Sequence, residues 1–177
     1  MTEPDSTNTV FFSHGKESGP WGGKIQAMAR VAEGAGCRVL SIDYQGMESP
    51  ADRVDKLIDS IRQTHTHGKL ILVGSSMGSY VSIAASQTVK PDGLFLLAPA
   101  VCMPGYPESN PTPVARKTLV IHGWSDEIVP VESAIYYCRQ HNLESVFVND
   151  SHRLLDSVPR IEQLLSLFLR EVLASSG

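Results

Sequence analysis

The feature that most constrains this chain is an alternation that runs through most of it. Short, mainly apolar runs fall at residues 10–12, 38–42, 70–73, 94–98, 118–122 and 145–148. Longer stretches separate them, and there the apolar residues recur every three or four positions, as on one face of a helix. These stretches are predicted as helices over 21–36, 50–65, 76–88, 131–141 and 157–173. Ile25, Met28, Ala29 and Ala32 share a face in the first, and Val54, Leu57, Ile58 and Ile61 in the second. Ile161, Leu164, Leu165, Phe168 and Leu169 do so in the last. A strand that is apolar on both sides must be covered on both sides, and crossovers within one sheet are right-handed. The expectation is an α/β fold: a doubly wound, mainly parallel six-stranded sheet with helices on both faces. The 177 residues suit one such domain, spanning 1–177. Residues 99–113 break the pattern, with five prolines and no helical period, and are read as an ordered surface loop.

Composition narrows the function. The sequence is 42% hydrophobic and 19% charged, as a globular chain should be. Fifteen lysines and arginines against 19 acidic residues give a net charge of −4, without a basic run, which argues against nucleic acid as a partner. Cys37, Cys102 and Cys138 are odd in number and far apart, with no CxxC spacing, and read as reduced thiols of a cytoplasmic protein. MTEPDSTNT at the start is polar and acidic, unlike a signal peptide, and no segment approaches the ~18 apolar residues of a membrane span. A soluble protein inside the cell is expected, with no membrane partner.

In a parallel sheet, reactive groups collect beyond the carboxyl ends of the strands. His14-Gly15-Lys16, Gly74 to Gly78, Asp126 and His152 all fall at such ends. LILVGSSMGSY carries an apolar strand into the pattern G-x-S-x-G, and a helical stretch follows. A turn that sharp strains its central residue and leaves no space for side chains two positions before and after it. Of the two adjacent serines only Ser76 has a glycine at both flanking positions, so Ser76 is the candidate nucleophile. A plain small-residue turn or a phosphate-binding turn would share the composition. The strand before and helix after favour the elbow, and the phosphate-loop pattern G-x-x-x-x-G-K is missing. The first strand also lacks a G-x-G-x-x-G turn, which argues against a dinucleotide fold.

A serine hydroxyl near neutral pH needs a base, and the base needs an orienting acid. VIHGWSDEIVP places Asp126 beyond the fifth strand, and VFVNDSHRLL places His152 beyond the sixth. Asp126 could instead be a helix cap, and Glu127 and Asp150 are alternative acids. Asp150, two residues from His152 on one loop, is poorly placed to orient it. His152 could be a surface histidine. His65, His67 and His141 lie at helix ends and read as solvated.

Through FFSHG, GSSMG, HGWSDEIVP and the DSH segment, the chain resembles the α/β-hydrolases over residues 10–173. It is most similar to small, lidless serine hydrolases and esterases of the dienelactone-hydrolase-like and YqiA-like kind. Two departures stand out: the two extra N-terminal strands of the full fold are missing, and a proline-rich loop stands where relatives insert a cap. The resemblance implies a triad of Ser76, Asp126 and His152. It also implies an oxyanion hole built from the backbone N–H groups of Met77 and Lys16, with Gly15 as second choice for the latter. His14 and His122 would be structural, holding loops through hydrogen bonds. The implied substrate is a small-molecule ester or thioester, and no metal or organic cofactor is implied. Without a cap the site should be shallow and open and favour short acyl groups, or a small exposed ester on a larger molecule. Trp21, Met103, Tyr106 and Trp124 lie on loops near the same edge and are candidate pocket residues, though each could equally be packing. The same triad also serves peptidases, lactonases and acyltransferases. A catalytically silent receptor on this fold is the alternative from another class.

Overall fold

A computed structural model describes residues 7–176. Six strands form one sheet: β1 (Thr9–Ser13), β2 (Arg38–Ile42), β3 (Leu70–Ser75), β4 (Gly93–Leu97), β5 (Lys117–Gly123) and β6 (Glu144–Val148). Five helices join or follow them: α1 (Gly23–Gly34), α2 (Pro50–Thr64), α3 (Met77–Val89), α4 (Val131–Gln140) and α5 (Val158–Ala174). The spatial order is β2-β1-β3-β4-β5-β6, and every pair is parallel. The sheet thus grows outward in two directions from β1, and β1 and β3 flank the switch point, where ligand sites gather in doubly wound sheets.

Alternation within each central strand feeds two separate cores. Val10, Phe12, Ile71, Val73, Phe95, Leu97, Leu119 and Ile121 point toward α1 and α5. Phe11, Leu70, Leu72, Leu94, Leu96 and Val120 point toward α2, α3 and α4. That is why these strands read as unbroken apolar runs: both faces are covered. Burying each such side chain contributes about 1.5–3 kcal/mol relative to exposure.

The helix ends follow local chemistry. Ser49 accepts a hydrogen bond from Asp52 N at 3.2 Å, and Pro50 opens α2 with a pre-set φ. α1 begins two residues later and stops two residues earlier than its periodicity suggested, and Gly36 follows at φ +82°. β3 extends through Gly74 and Ser75, so Ser76 precedes α3 instead of opening it.

The proline-rich connection from β4 to β5 holds no helix or strand over residues 98–116. It packs on the α3 and α4 side of the sheet. Tyr106 rests on Tyr80 with ring centroids 4.6 Å apart, and Tyr137 Oη donates to Pro111 O at 2.7 Å. This cover is why α3 is buried almost all round.

Candidate functional site

Ser76 sits at the tip of the turn between β3 and α3 with φ +56° and ψ −119°, a conformation that strains a non-glycine residue. Its neighbours hold it there. A Cβ on Gly74 would overlap the Gly78 and Ser79 backbone, and a Cβ on Gly78 would overlap the backbone of Ser13 and His14. Ser13 pairs with Gly74 in the sheet, so the loop after β1 emerges directly beside the turn. Ser76 N donates to Leu97 O at 2.9 Å, and Ser76 O accepts from Ser79, Tyr80 and Ala100 N at 3.0, 3.3 and 3.2 Å.

The loops after β5 and β6 are laced together. Trp124 N donates to Val148 O at 2.9 Å and Ser125 N to Asp150 O at 3.1 Å. A Cβ on Gly123 would overlap the Asp150 and Ser151 carbonyls, so only glycine allows this approach. The lacing brings residues 126 and 152 together. Asp126 Oδ2 accepts from His152 Nδ1 at 2.7 Å, and His152 Nε2 accepts from Ser76 Oγ at 2.9 Å. Ser76, Asp126 and His152, expected from the sequence, therefore form one hydrogen-bonded chain. In that chain the carboxylate fixes the imidazole tautomer, and the imidazole can take the serine proton.

Asp126 does not cap a helix, since α4 begins at Val131 behind Pro130, but its carboxylate holds the turn that leads there. Its Oδ1 accepts from Ile128 N at 2.9 Å and Val129 N at 2.7 Å, which leaves Oδ2 for histidine. Two histidines meet Oδ2. His122 Nε2 lies 3.2 Å away and 3.0 Å from Val129 O, which can only accept, so Nε2 carries the proton.

Asp150 is turned away from His152. Its Oδ2 accepts from Ser157 N and Oγ at 2.9 and 2.8 Å, and its Oδ1 from Ser151 N at 2.7 Å. Burial would raise its pKa, but these donors, with Asp156 N, hold it below the usual carboxylate value. Glu127 is exposed and lines the cleft without bonding to His152.

On the opposite side, His14 is buried with both ring nitrogens engaged. Nδ1 donates to Gly15 O at 2.7 Å, and Nε2 accepts from Tyr44 N at 2.9 Å, which fixes a neutral tautomer. Burial lowers the pKa of His14 and of His122 alike.

A cleft of about 660 Å³ opens over Ser76. One wall is the loop after β1, from His14 to Gly19, with Gly22 and the start of α1 through Ile25, and the other includes Glu127, Ile128, His152, Arg153 and Leu155. This size suits a small molecule. Lys24 spans the end of the cleft, with Nζ donating to Arg153 O at 2.9 Å, and burial lowers its pKa to about 8. Among the described residues no group of three or more His, Cys, Asp or Glu side chains is arranged to hold a metal ion, and no helix is long and apolar enough to cross a membrane.

Several expected placements change. Trp21, Met103, Tyr106 and Trp124 do not line this cleft. Met103 and Tyr106 belong to the connection packed on the far side of α3, and Trp124 rests on Phe147 with centroids 5.0 Å apart. Ile25, Ile128 and Leu155 supply the apolar lining instead. His141, expected in solvent, bonds through Nε2 to Asn110 Oδ1 at 2.9 Å and packs on the Tyr137 ring. Sequence reasoning missed Gly123, the bonds from Ser157 to Asp150 and the buried Arg53. Repetition of His-Gly at two strand ends was the available signal for the first.

A hydrolase-type sheet with an elbow serine and a histidine–aspartate pair defines a class, and the comparisons agree. Residues 10–169 match the alpha/beta hydrolase family, and the chain belongs to it. No curated protein matches the sequence. A crystal structure from Xanthomonas campestris pv. campestris, described as a hydrolase of the alpha/beta superfamily, is similar at 27% identity. It has a TM-score of 0.82, over 94% of this chain and 98% of that one. A second Xanthomonas campestris structure, an α/β serine hydrolase without a lid, aligns at 20% identity and TM-score 0.76, over 99% and 88%. An esterase from Pyrococcus furiosus aligns at 16% identity and TM-score 0.81, over 97% and 85%. At these last two identities the likeness is one of fold.

Proposed function

We propose that this protein is a serine hydrolase that cleaves a carboxylic ester or thioester of a small acyl group through an acyl-enzyme. The observation that carries the reading is the chain Asp126–His152–Ser76, at 2.7 and 2.9 Å, ending on a serine held at φ +56° beside a cleft. Ser76 Oγ attacks the carbonyl carbon while His152 Nε2 takes its proton, and Asp126 stabilises the imidazolium that forms. The developing oxyanion is met by Met77 N–H, at the positive end of α3, and by Lys16 N–H on the loop after β1. Collapse expels the leaving group, which receives the proton from His152. Water then releases the acid, with His152 again as base. Esterases among proteins of the same fold support this choice of substrate class.

The test is labelling by a fluorophosphonate, wild type beside Ser76→Ala, followed by a p-nitrophenyl ester series. Wild type should label, and the substitution should abolish labelling and lower kcat by about 10⁶. Since no residue of 98–116 lines the cleft, acetate and butyrate should be cleaved faster than palmitate. Labelling that persists in Ser76→Ala removes the nucleophile, and an unlabelled wild type favours a silent receptor.

A further inference from the structure

Both proposed oxyanion donors belong to peptide groups whose carbonyls are clamped. A trans peptide is planar, and its C=O and N–H point in opposite directions, so fixing one aims the other. For the Ser76–Met77 peptide the clamp is made of backbone, as Ser79, Tyr80 and Ala100 N all donate to Ser76 O. The Gly15–Lys16 peptide lies in a loop and has no such frame. Its carbonyl is held by side chains instead: His14 Nδ1 at 2.7 Å, Arg53 Nη1 at 3.3 Å and Ser18 Oγ at 3.5 Å.

Arg53 is the unexpected member. It lies in the first turn of α2, far along the chain from the loop it touches, and is only 1% exposed. Buried arginines normally pair with a carboxylate, because an unpaired buried charge is unfavourable. Among the described residues no carboxylate forms an ion pair with Arg53. The guanidinium donates to backbone carbonyls and lies against an aromatic face. Nε donates to Met47 O at 2.7 Å, Nη1 is shared between His14 O at 3.4 Å and Gly15 O at 3.3 Å, and the Tyr44 ring lies 5.3 Å from its centre. A planar fork can hold several oxygens in fixed relative positions, which a flexible ammonium cannot do as well. Bonding to the Gly15 carbonyl also polarises the peptide and strengthens Lys16 N–H as a donor.

We infer that Arg53 is a positioning residue for the oxyanion loop: it ties the His14 and Gly15 carbonyls to Met47 and so aims Lys16 N–H at the site where the tetrahedral oxygen forms. The inference rests on the proposed hydrolase reading. It places in the core a cation whose effect on turnover is exerted through one backbone peptide.

The experiment compares wild type, Arg53→Met, Arg53→Lys and Leu57→Ala in ester turnover and in inhibition by a trifluoromethyl ketone, whose adduct carries the oxyanion. Leu57 is fully buried on the same helix and does not line the cleft, so its truncation controls for lost stability. Losing a whole oxyanion donor typically costs 10²–10³ in kcat, so a loosened donor in Arg53→Met should cost about tenfold, with KM unchanged and ketone affinity weakened by the same factor. Arg53→Lys, which keeps a charged donor near the carbonyls, should recover part of both losses. Leu57→Ala should lower the melting temperature while kcat per folded enzyme stays unchanged.

The inference is overturned if Arg53→Met keeps kcat and ketone affinity within twofold of wild type, or if Leu57→Ala loses them equally. Should Arg53→Met fail to fold, Arg53→Lys decides: unchanged ketone affinity overturns the inference, and weakened affinity at constant KM supports it. A wild type that neither cleaves esters nor labels removes the hydrolase reading along with this inference. An active wild type whose Arg53 variants match it removes the inference alone.

Discussion

The dipeptide His-Gly closes two strands of the sheet, β1 at His14-Gly15 and β5 at His122-Gly123, and the two copies divide the same task in opposite ways. Both imidazoles are buried. His14 uses both nitrogens, bridging Gly15 O and Tyr44 N. His122 uses one, shared between Val129 O and Asp126 Oδ2, and its Nδ1 has no hydrogen-bond partner among the described residues. The glycines reverse the ranking. A Cβ on Gly15 would meet its nearest neighbour, Ser18 Oγ, at an ordinary 3.5 Å, whereas on Gly123 it would overlap two backbone carbonyls. At the β1 end the histidine carries the geometry and the glycine is replaceable. At the β5 end the glycine carries it and the histidine supports.

Gly123→Ala should therefore be the more damaging glycine change. Its β6 loop must shift to admit the added carbon, and a displacement of about 1 Å at His152 is enough to cost about 10² in kcat/KM. Gly15→Ala should stay within about 0.5 kcal/mol of wild type in urea unfolding. Equal damage from the two substitutions would break the contrast.

The histidines offer a smaller effect of opposite order. His14→Phe leaves Tyr44 N–H without its acceptor and removes the shortest bond on Gly15 O, a loss of about 1–3 kcal/mol. His122→Phe removes one shared donor but also an unpartnered buried nitrogen, so it should cost about half as much. Urea unfolding of both variants at neutral pH ranks them, and a larger loss at His122 would refute the assignment.

Acid should reveal the smallest effect. Burial depresses both folded pKa values below the ordinary 6.5, so the unfolded chain binds protons more readily. Stability is then full above pH 6.5 and is lost as pH falls from there through the lowered folded values. Each histidine contributes at most about 1.4 kcal/mol per pH unit in that window, and each Phe variant should flatten the slope. A slope unchanged in both variants would assign the acid sensitivity to other groups.

Much of this molecule was legible in advance, for identifiable reasons. Strands covered on two faces leave continuous apolar runs, which is why all six were found to within a few residues. Ser76 was chosen over Ser75 because the steric demand on Gly74 and Gly78 is local and appears as spacing. Asp126 and His152 followed from the position of strand ends in a parallel sheet. The lining of the cleft was not legible, because residues near a strand end can fold to either face. Met103 and Tyr106 went to the α3 side through packing on Tyr80 and the core beneath it.

The sequence by itself determined which residues are the candidates for the proposed chemistry, since that choice depends on short-range sterics and on where strands end. Only the tertiary structure decided how they are held. Gly123 admits the β6 loop, Asp150 anchors it to α5, and Arg53 reaches from α2 to the Gly15 carbonyl. These are contacts between segments far apart along the chain, and their partners exist only once the sheet has assembled.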